Sequence, residues 1–216
     1  MSMFERERTS VALVMYALYL YFLGLSFRNT SKALEPFEEK RSYVAVWSWV
    51  QRFNPKIIYC RKTRVAAFII DETMIQIGGS AAWLWIAIES VHSTILAVFL
   101  SRHRNMLVVE SFLKSLIKTY GKHTVYSDGG TWYPQACASL DLNHKIHTPV
   151  EKSIIERAIQ YFKDRTENFD DYYPCMKSGT RCNLLHVYNW LGLFVFIHNV
   201  MISDIRFSML RSIIGR

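Results

Sequence analysis

Three acidic residues far apart in the chain carry its strongest chemical signal: Asp71, Asp128 and Glu156. Asp71 follows the apolar run Val65-Ala66-Ala67-Phe68-Ile69-Ile70, Asp128 closes Thr124-Val125-Tyr126-Ser127, and Glu156 follows Ile154-Ile155. Carboxylates at the ends of buried strands and on one helix offer hard anionic oxygens, the donors that Mg²⁺ takes. A pair of such ions, about 3.5–4 Å apart, activates an attacking oxygen and stabilises a leaving one in phosphoryl transfer on nucleic acids. The expected cofactor is therefore Mg²⁺, two ions per site, with Mn²⁺ able to substitute.

Each acid has a plainer reading beside this one. Burying Phe68-Ile69-Ile70 forces Asp71 into a low-dielectric setting, which is costly unless a cation compensates. Asp128-Gly129-Gly130 also has turn chemistry. Glu156 could be a surface neighbour of Lys163, two helical turns on. The third acid is a choice between Glu151 and Glu156. Thr148-Pro149-Val150-Glu151 reads as a capping box, which gives Glu151 a structural task. Glu156 lies mid-helix with Gln160 and Lys163 on its face, so the acid could meet metal while Lys163 meets a DNA phosphate. Glu72 points to the opposite face of a strand from Asp71 and is not expected to be a ligand.

The elements that must position these residues follow from periodicity. Val65–Ile77 reads as a strand rich in β-branched residues, Gly78-Gly79 as a turn, and Ala82–Ile88 and Thr94–Leu100 as two more strands. After the polar break Ser101–Asn105, Met106–Tyr120 has helical spacing. Thr124–Ser127 is a fourth strand, Tyr133–Leu140 a short helix, Lys145–His147 a fifth strand and Glu151–Phe162 a long helix. Three antiparallel strands followed by alternating helices and strands is the order of a ribonuclease-H-like fold. The predicted class is α/β, a mixed sheet with flanking helices, preceded by a small all-α helix-turn-helix domain.

In that amino-terminal piece, Val11–Leu25 is apolar nearly all round, Phe27–Leu34 is a shorter helix, and Ser42 caps a third. Val46, Trp49, Val50 and Phe53 form its buried stripe, and Asn54-Pro55 ends it. Two short helices behind a supporting one describe a helix-turn-helix, although no Arg or Asn base reader stands on the outward face of the last helix. The expected division is residues 1–60 as the DNA-binding domain, 61–180 as the catalytic domain, and 181–216 as a carboxy-terminal helix packing on the catalytic domain or a second subunit.

Charge supports a polyanionic partner. The net charge is +8, and residues 1–64 hold 11 Lys/Arg against 5 Asp/Glu, so the basicity is concentrated at the amino-terminal end. Arg52, Lys56, Arg61, Lys62 and Arg64 cluster after the last short helix, and Lys163 and Arg165 lie beyond Glu156; all seven are candidate DNA contacts. Trp132 and Tyr133 could stack on an unpaired base or cover the core. Cys60, Cys137, Cys175 and Cys182 show no C-x-x-C pair, and no secretory leader is visible, so reduced thiols are expected. His144 and His147 lack the helical spacing of a zinc pair. The apolar runs are too short or too polar for bilayer spans, so no membrane is expected.

These residues resemble the DDE transposases of the insertion-sequence-six type from bacteria and archaea. The likeness runs through Ser42, Val46 and Trp49-Val50, then Asp71-Glu72-Thr73, then Asp128 with Tyr133-Pro134. It continues through Ile154-Ile155-Glu156 with Lys163 and Asp164-Arg165-Thr166-Glu167, then Phe169-Asp170-Asp171-Tyr172-Tyr173-Pro174 and Trp190 to His198-Asn199. One difference is the gap of 27 residues between Asp128 and Glu156, shorter than the general pattern. The resemblance implies a homodimer or higher oligomer that binds terminal inverted repeats, cuts a strand to leave a 3′-hydroxyl and joins it to target DNA. It implies a cytoplasmic, nucleoid-associated protein. The alternatives are a nuclease on the same fold and an inactive DNA-binding relic.

Overall fold

The computed structural model describes residues 9–37, 40–52, 64–77, 80–167 and 184–202. The chain divides into two compact units, Met1–Cys60 with Pro174–Arg216, and Arg61–Tyr173.

The described residues of the first unit form helices and short turns. Helices α1 (Val11–Phe22), α2 (Phe27–Ala33) and α3 (Tyr43–Arg52) run with a 3₁₀ turn at Glu35–Phe37. Ser10 and Ser26 cap α1 and α2 through their hydroxyls, and the Ser42 hydroxyl accepts the Ala45 N–H at 3.3 Å. Val46, Trp49 and Val50 are buried, as their spacing requires, whereas Phe53 lies outside the described residues.

In the second unit, the strands β1 (Ala67–Ile77), β2 (Ser80–Glu89) and β3 (Ile95–Ser101) precede α4 (Met106–Tyr120). Then come β4 (Thr124–Ser127), α5 (Trp132–Ser139), β5 (His144–Ile146) and α6 (Pro149–Glu167). The sheet order is β3-β2-β1-β4-β5. β1 pairs antiparallel with β2 and β2 with β3, while β4 is parallel to β1 and β5 to β4. This is the ribonuclease-H-like arrangement that the order of elements predicts. The fifth strand starts one residue earlier than its composition suggests, at His144.

The last described helix, α7 (Leu184–Ile202), belongs to the first unit, where it packs on α3 and α1. Val187, Trp190, Leu191, Leu193 and Phe194 are all buried. The Trp190 indole N–H donates to the Tyr21 hydroxyl at 3.2 Å, and Phe194 stacks on Trp190 at 5.8 Å. A helix apolar on every side must be covered by something, but periodicity does not name the cover. Among the described residues no helix is long and apolar enough to cross a membrane.

Strand alternation gives the sheet of the second unit two different faces. Phe68 and Ile70 join Trp85, Ala87, Phe112, Leu113 and Val125 in the core beneath α4 and α5. Ile69 and Asp71 point the other way, where α6 contacts β1 and buries Ile155, Ala158, Ile159 and Phe162.

The β2–β3 connection is held by Glu89, whose side chain is fully buried. Its carboxylate accepts the backbone N–H groups of Ala66, Val91 and His92 and contacts the His92 ring at 3.0 Å. Burial pushes its pKa up, but these donors outweigh burial and the net shift is down. The folded carboxyl therefore binds its proton less well than the unfolded one. Its contribution to stability is full above the unfolded pKa and disappears as pH falls through the lower, folded value. Glu89→Ala, which strands these buried N–H groups, should destabilise the second unit by about 2–4 kcal/mol. A denaturant titration would check this, and an unchanged midpoint would contradict it.

Candidate active site

Sheet register brings the first two acids together. Ile69 on β1 is level with Tyr126 on β4. The strands are parallel, so two residues further along, Asp71 within β1 and Asp128 just past the end of β4 come abreast. Neither carboxylate is left without a donor. Asp71 Oδ1 accepts the Glu72 N–H at 2.8 Å, and Asp128 Oδ1 accepts the Gly130 N–H at 2.9 Å. Gly129 supplies the left-handed backbone between the latter pair, at φ +84°.

Asp71 is electrostatically strained. Its pKa is raised to about 7, first by burial and further by the charges of Glu72 and Asp128; the Glu72 N–H and the Arg104 charge work in the opposite direction. A carboxylate pushed up this far by desolvation and like charge is characteristic of functional sites.

The third acid faces the same place from the helix. A cleft of about 530 Å³ is lined by Asp71 and Thr73 on β1 and by Ser153, Glu156, Gln160 and Lys163 on α6. Glu156 is largely exposed and lies 3.8 Å from Lys152. Gln160 donates to Asp164 Oδ1 at 2.6 Å. Asp128 is not among the residues lining this cleft. Among the described residues, no three His, Cys, Asp or Glu side chains converge tightly enough to hold one ion. The structure thus joins Asp71 to Asp128 through the sheet and Asp71 to Glu156 through the cleft.

Glu151 has a structural task at the start of α6. Glu151 Oε2 accepts the Thr148 N–H at 2.9 Å and contacts the Thr148 hydroxyl, closing the capping box. That hydroxyl contact, ahead of the smaller effects, holds the Glu151 carboxyl below its ordinary range.

Glu72 does lie on the opposite face from Asp71. Its fully buried carboxylate meets Arg104 at 2.5 Å and accepts the Tyr133 hydroxyl. The Arg104 guanidinium is held between the rings of Trp83 and Trp132, at 4.6 and 4.4 Å. Nothing in the sequence pattern announces this network, because Glu72 and Arg104 are 32 residues apart.

Several expected DNA contacts are repositioned. Trp132, expected as a candidate to stack on a base, stacks on Arg104 and packs against Gly130, where an added Cβ would come within 2.9 Å of the indole. Arg165 is 5 % exposed and so is not a surface contact for phosphate. Two residues from Lys163, it lies about 200° round the helix. Arg64 is exposed and Arg52 lies at the end of α3, while Lys56, Arg61 and Lys62 fall outside the described residues. His144 bonds the Ser127 hydroxyl at 2.8 Å beside Asp128, and burial lowers the pKa of both His144 and His147. Cys137 is a buried thiol, pushed up to about 11 by desolvation; the other cysteines lie outside the described residues.

This geometry can be set against known proteins. A family model described as a DDE domain, of the IS240 transposase type, matches residues 65–172. The chain belongs to the DDE transposase family of the insertion-sequence-six type. The match spans β1 through α6 and so contains all three acids. The transposase for insertion sequence element IS257 in transposon Tn4003 of Staphylococcus aureus is 32 % identical over 55 % of this chain. That match spans 53 % of the relative, about half its length. The uncharacterized protein MJ0017 of Methanocaldococcus jannaschii is 28 % identical over 91 % of this chain and 90 % of its own. Among solved structures, the catalytic core domain of BIV integrase is similar at 18 % identity, covering 59 % of this chain and 80 % of that one, with a TM-score of 0.44.

Proposed function

We propose that this member of the DDE family is a DNA transposase that binds the terminal inverted repeats of an insertion sequence, cleaves a strand and joins the 3′-hydroxyl to target DNA. The observation that carries the reading is that Asp71, within β1, and Asp128, just past the end of the parallel neighbour β4, come abreast, with Glu156 lining the Asp71 cleft. The donor set fits a divalent cation: it consists of hard carboxylate oxygens, and the burial and like charge around Asp71 are what a cation would relieve. Asp71, Asp128 and Glu156 would hold Mg²⁺ or Mn²⁺, two ions per site. When bound, the ions supply activation of the attacking oxygen and charge stabilisation of the leaving one.

The protein's own groups do the rest. Lys163, on the face of α6 that carries Glu156, neutralises a backbone phosphate near the scissile bond, and Gln160 between them offers a neutral polar group. The basic residues Arg52, Lys56, Arg61, Lys62 and Arg64, with α3, hold the DNA ends, mostly through phosphates. End binding should therefore weaken steeply with salt. Two or more copies of the chain act on paired ends, in the cytoplasm and associated with the nucleoid.

A nuclease on the same fold would hydrolyse without joining, and an inactive relic would only bind. Supplying pre-cut ends carrying a 3′-hydroxyl, Mg²⁺ and a circular target separates all three. Linear joined product is the expected result. Hydrolysis alone would assign a nuclease, and neither product with intact end binding would assign the relic.

A further inference from the structure

The sandwiched arginine has a direct line to the first acid. Glu72 plays two parts at once: its backbone N–H donates to Asp71 Oδ1 at 2.8 Å, while its side chain is fixed on the opposite face of the sheet. Three groups fix it there. Arg104 donates from Nε at 2.6 Å and approaches with Nη2 at 2.5 Å, and the Tyr133 hydroxyl donates to the other carboxylate oxygen. Arg104 itself lies over two indoles, Trp83 from β2 at 4.6 Å and Trp132 from α5 at 4.4 Å. The loop carrying Arg104 is pinned as well: Ser101 accepts the Trp85 indole N–H at 2.7 Å and donates to the His103 carbonyl at 2.7 Å, and Asn105 caps α4.

We propose that Arg104, with Trp83 and Trp132 as its clamp, is a positioning residue for the Asp71 carboxylate, acting through Glu72. The Glu72 N–H favours one orientation of the Asp71 carboxylate, and the buried Glu72 side chain holds that N–H in place. The guanidinium is suited to this task because it is planar, stacks on both indoles and offers two donors to one carboxylate. A lysine keeps the charge but neither the stacking nor the fork. The inference rests on the transposase reading only in taking Asp71 as a metal-binding group.

The test compares Arg104→Lys, Trp132→Leu and Asp71→Asn in the full chain. Two quantities are read: free Mn²⁺ by electron paramagnetic resonance in the absence of DNA, and joining of pre-cut ends across a Mg²⁺ titration. Supports of metal-binding groups typically change affinity or activity by about 10–100-fold. The expected result is that Arg104→Lys and Trp132→Leu fold and bind DNA ends normally, yet need at least about tenfold more Mg²⁺ for half-maximal joining and bind Mn²⁺ correspondingly less well. A residue with only a structural part would lower the thermal midpoint and leave the Mg²⁺ requirement of the folded fraction unmoved. Wild-type metal dependence in both clamp variants would overturn the proposal. Unchanged Mn²⁺ binding in Asp71→Asn would instead overturn the underlying reading of the site, and the role of Arg104 would fall with it.

Discussion

Replacing Asp71 by Asn should reduce cleavage and joining by on the order of 10³-fold or more, because several kcal/mol of metal-borne charge stabilisation depends on that carboxylate. The substitution is nearly isosteric, and the asparagine carbonyl oxygen can still accept the Glu72 N–H that Asp71 holds at 2.8 Å. The fold and the basic residues are unaltered, so binding of DNA ends in a gel-shift assay should be unchanged. Asp128→Asn and Glu156→Gln should behave alike. Glu156 is the more telling of these two, since it is exposed and its pair with Lys152, at 3.8 Å, is of little structural worth. A structural account of Glu156 predicts almost no effect from its loss; the metal account predicts near-complete loss of product. Full activity in any one of the three variants would remove that residue from the site.

The same Asp71→Asn substitution should stabilise the metal-free protein at pH 8. The sign follows from the direction of the shift. The folded carboxyl holds its proton up to about pH 7, while an unfolded aspartate releases it near 3.8. Between those values the folded state binds more protons than the unfolded state, so stability falls as pH rises through this window and is level above it. For a partly exposed group the loss is on the order of 1–3 kcal/mol after allowance for solvent screening. Asparagine carries no such charge, so its variant should lack this decline. Mg²⁺ should raise the wild-type thermal midpoint at pH 8 and do little for the variant, because an ion that binds only the folded state stabilises it. Melting curves at pH 5.5 and 8, with and without Mg²⁺, check all of this. A variant less stable than the wild type at pH 8, together with a wild-type midpoint indifferent to Mg²⁺, would contradict it.

The parts of this site that are legible in the sequence are those fixed by local rules. The apolar run Phe68-Ile69-Ile70 before Asp71 demands a buried strand that carries the acid, and strand alternation sends Glu72 to the other face. Thr148 and Glu151 announce a capping box three residues apart, which gives Glu151 a structural task and sets Glu156 apart from it. What the sequence does not reveal is set by tertiary contact. The clamp on Arg104 needs Trp83 and Trp132 to come from separate elements, and no periodicity links them. The cover over α7 is set in the same way: an all-apolar helix must be buried, but Tyr21, Phe22 and the end of α3 become its partners only in the folded chain. Arg165 is a different case. Its spacing from Lys163 already places the two on opposite sides of the helix, and a helical projection would have separated them.

The most direct test is a crystal structure of the protein grown with Mn²⁺ and a pre-cut DNA end, with the ions located by anomalous scattering. The account predicts Mn²⁺ beside the terminal phosphate, contacted by carboxylate oxygens of Asp71, Asp128 and Glu156 together. Ions bound beside the DNA with any one of these three carboxylates turned away and out of reach would contradict it.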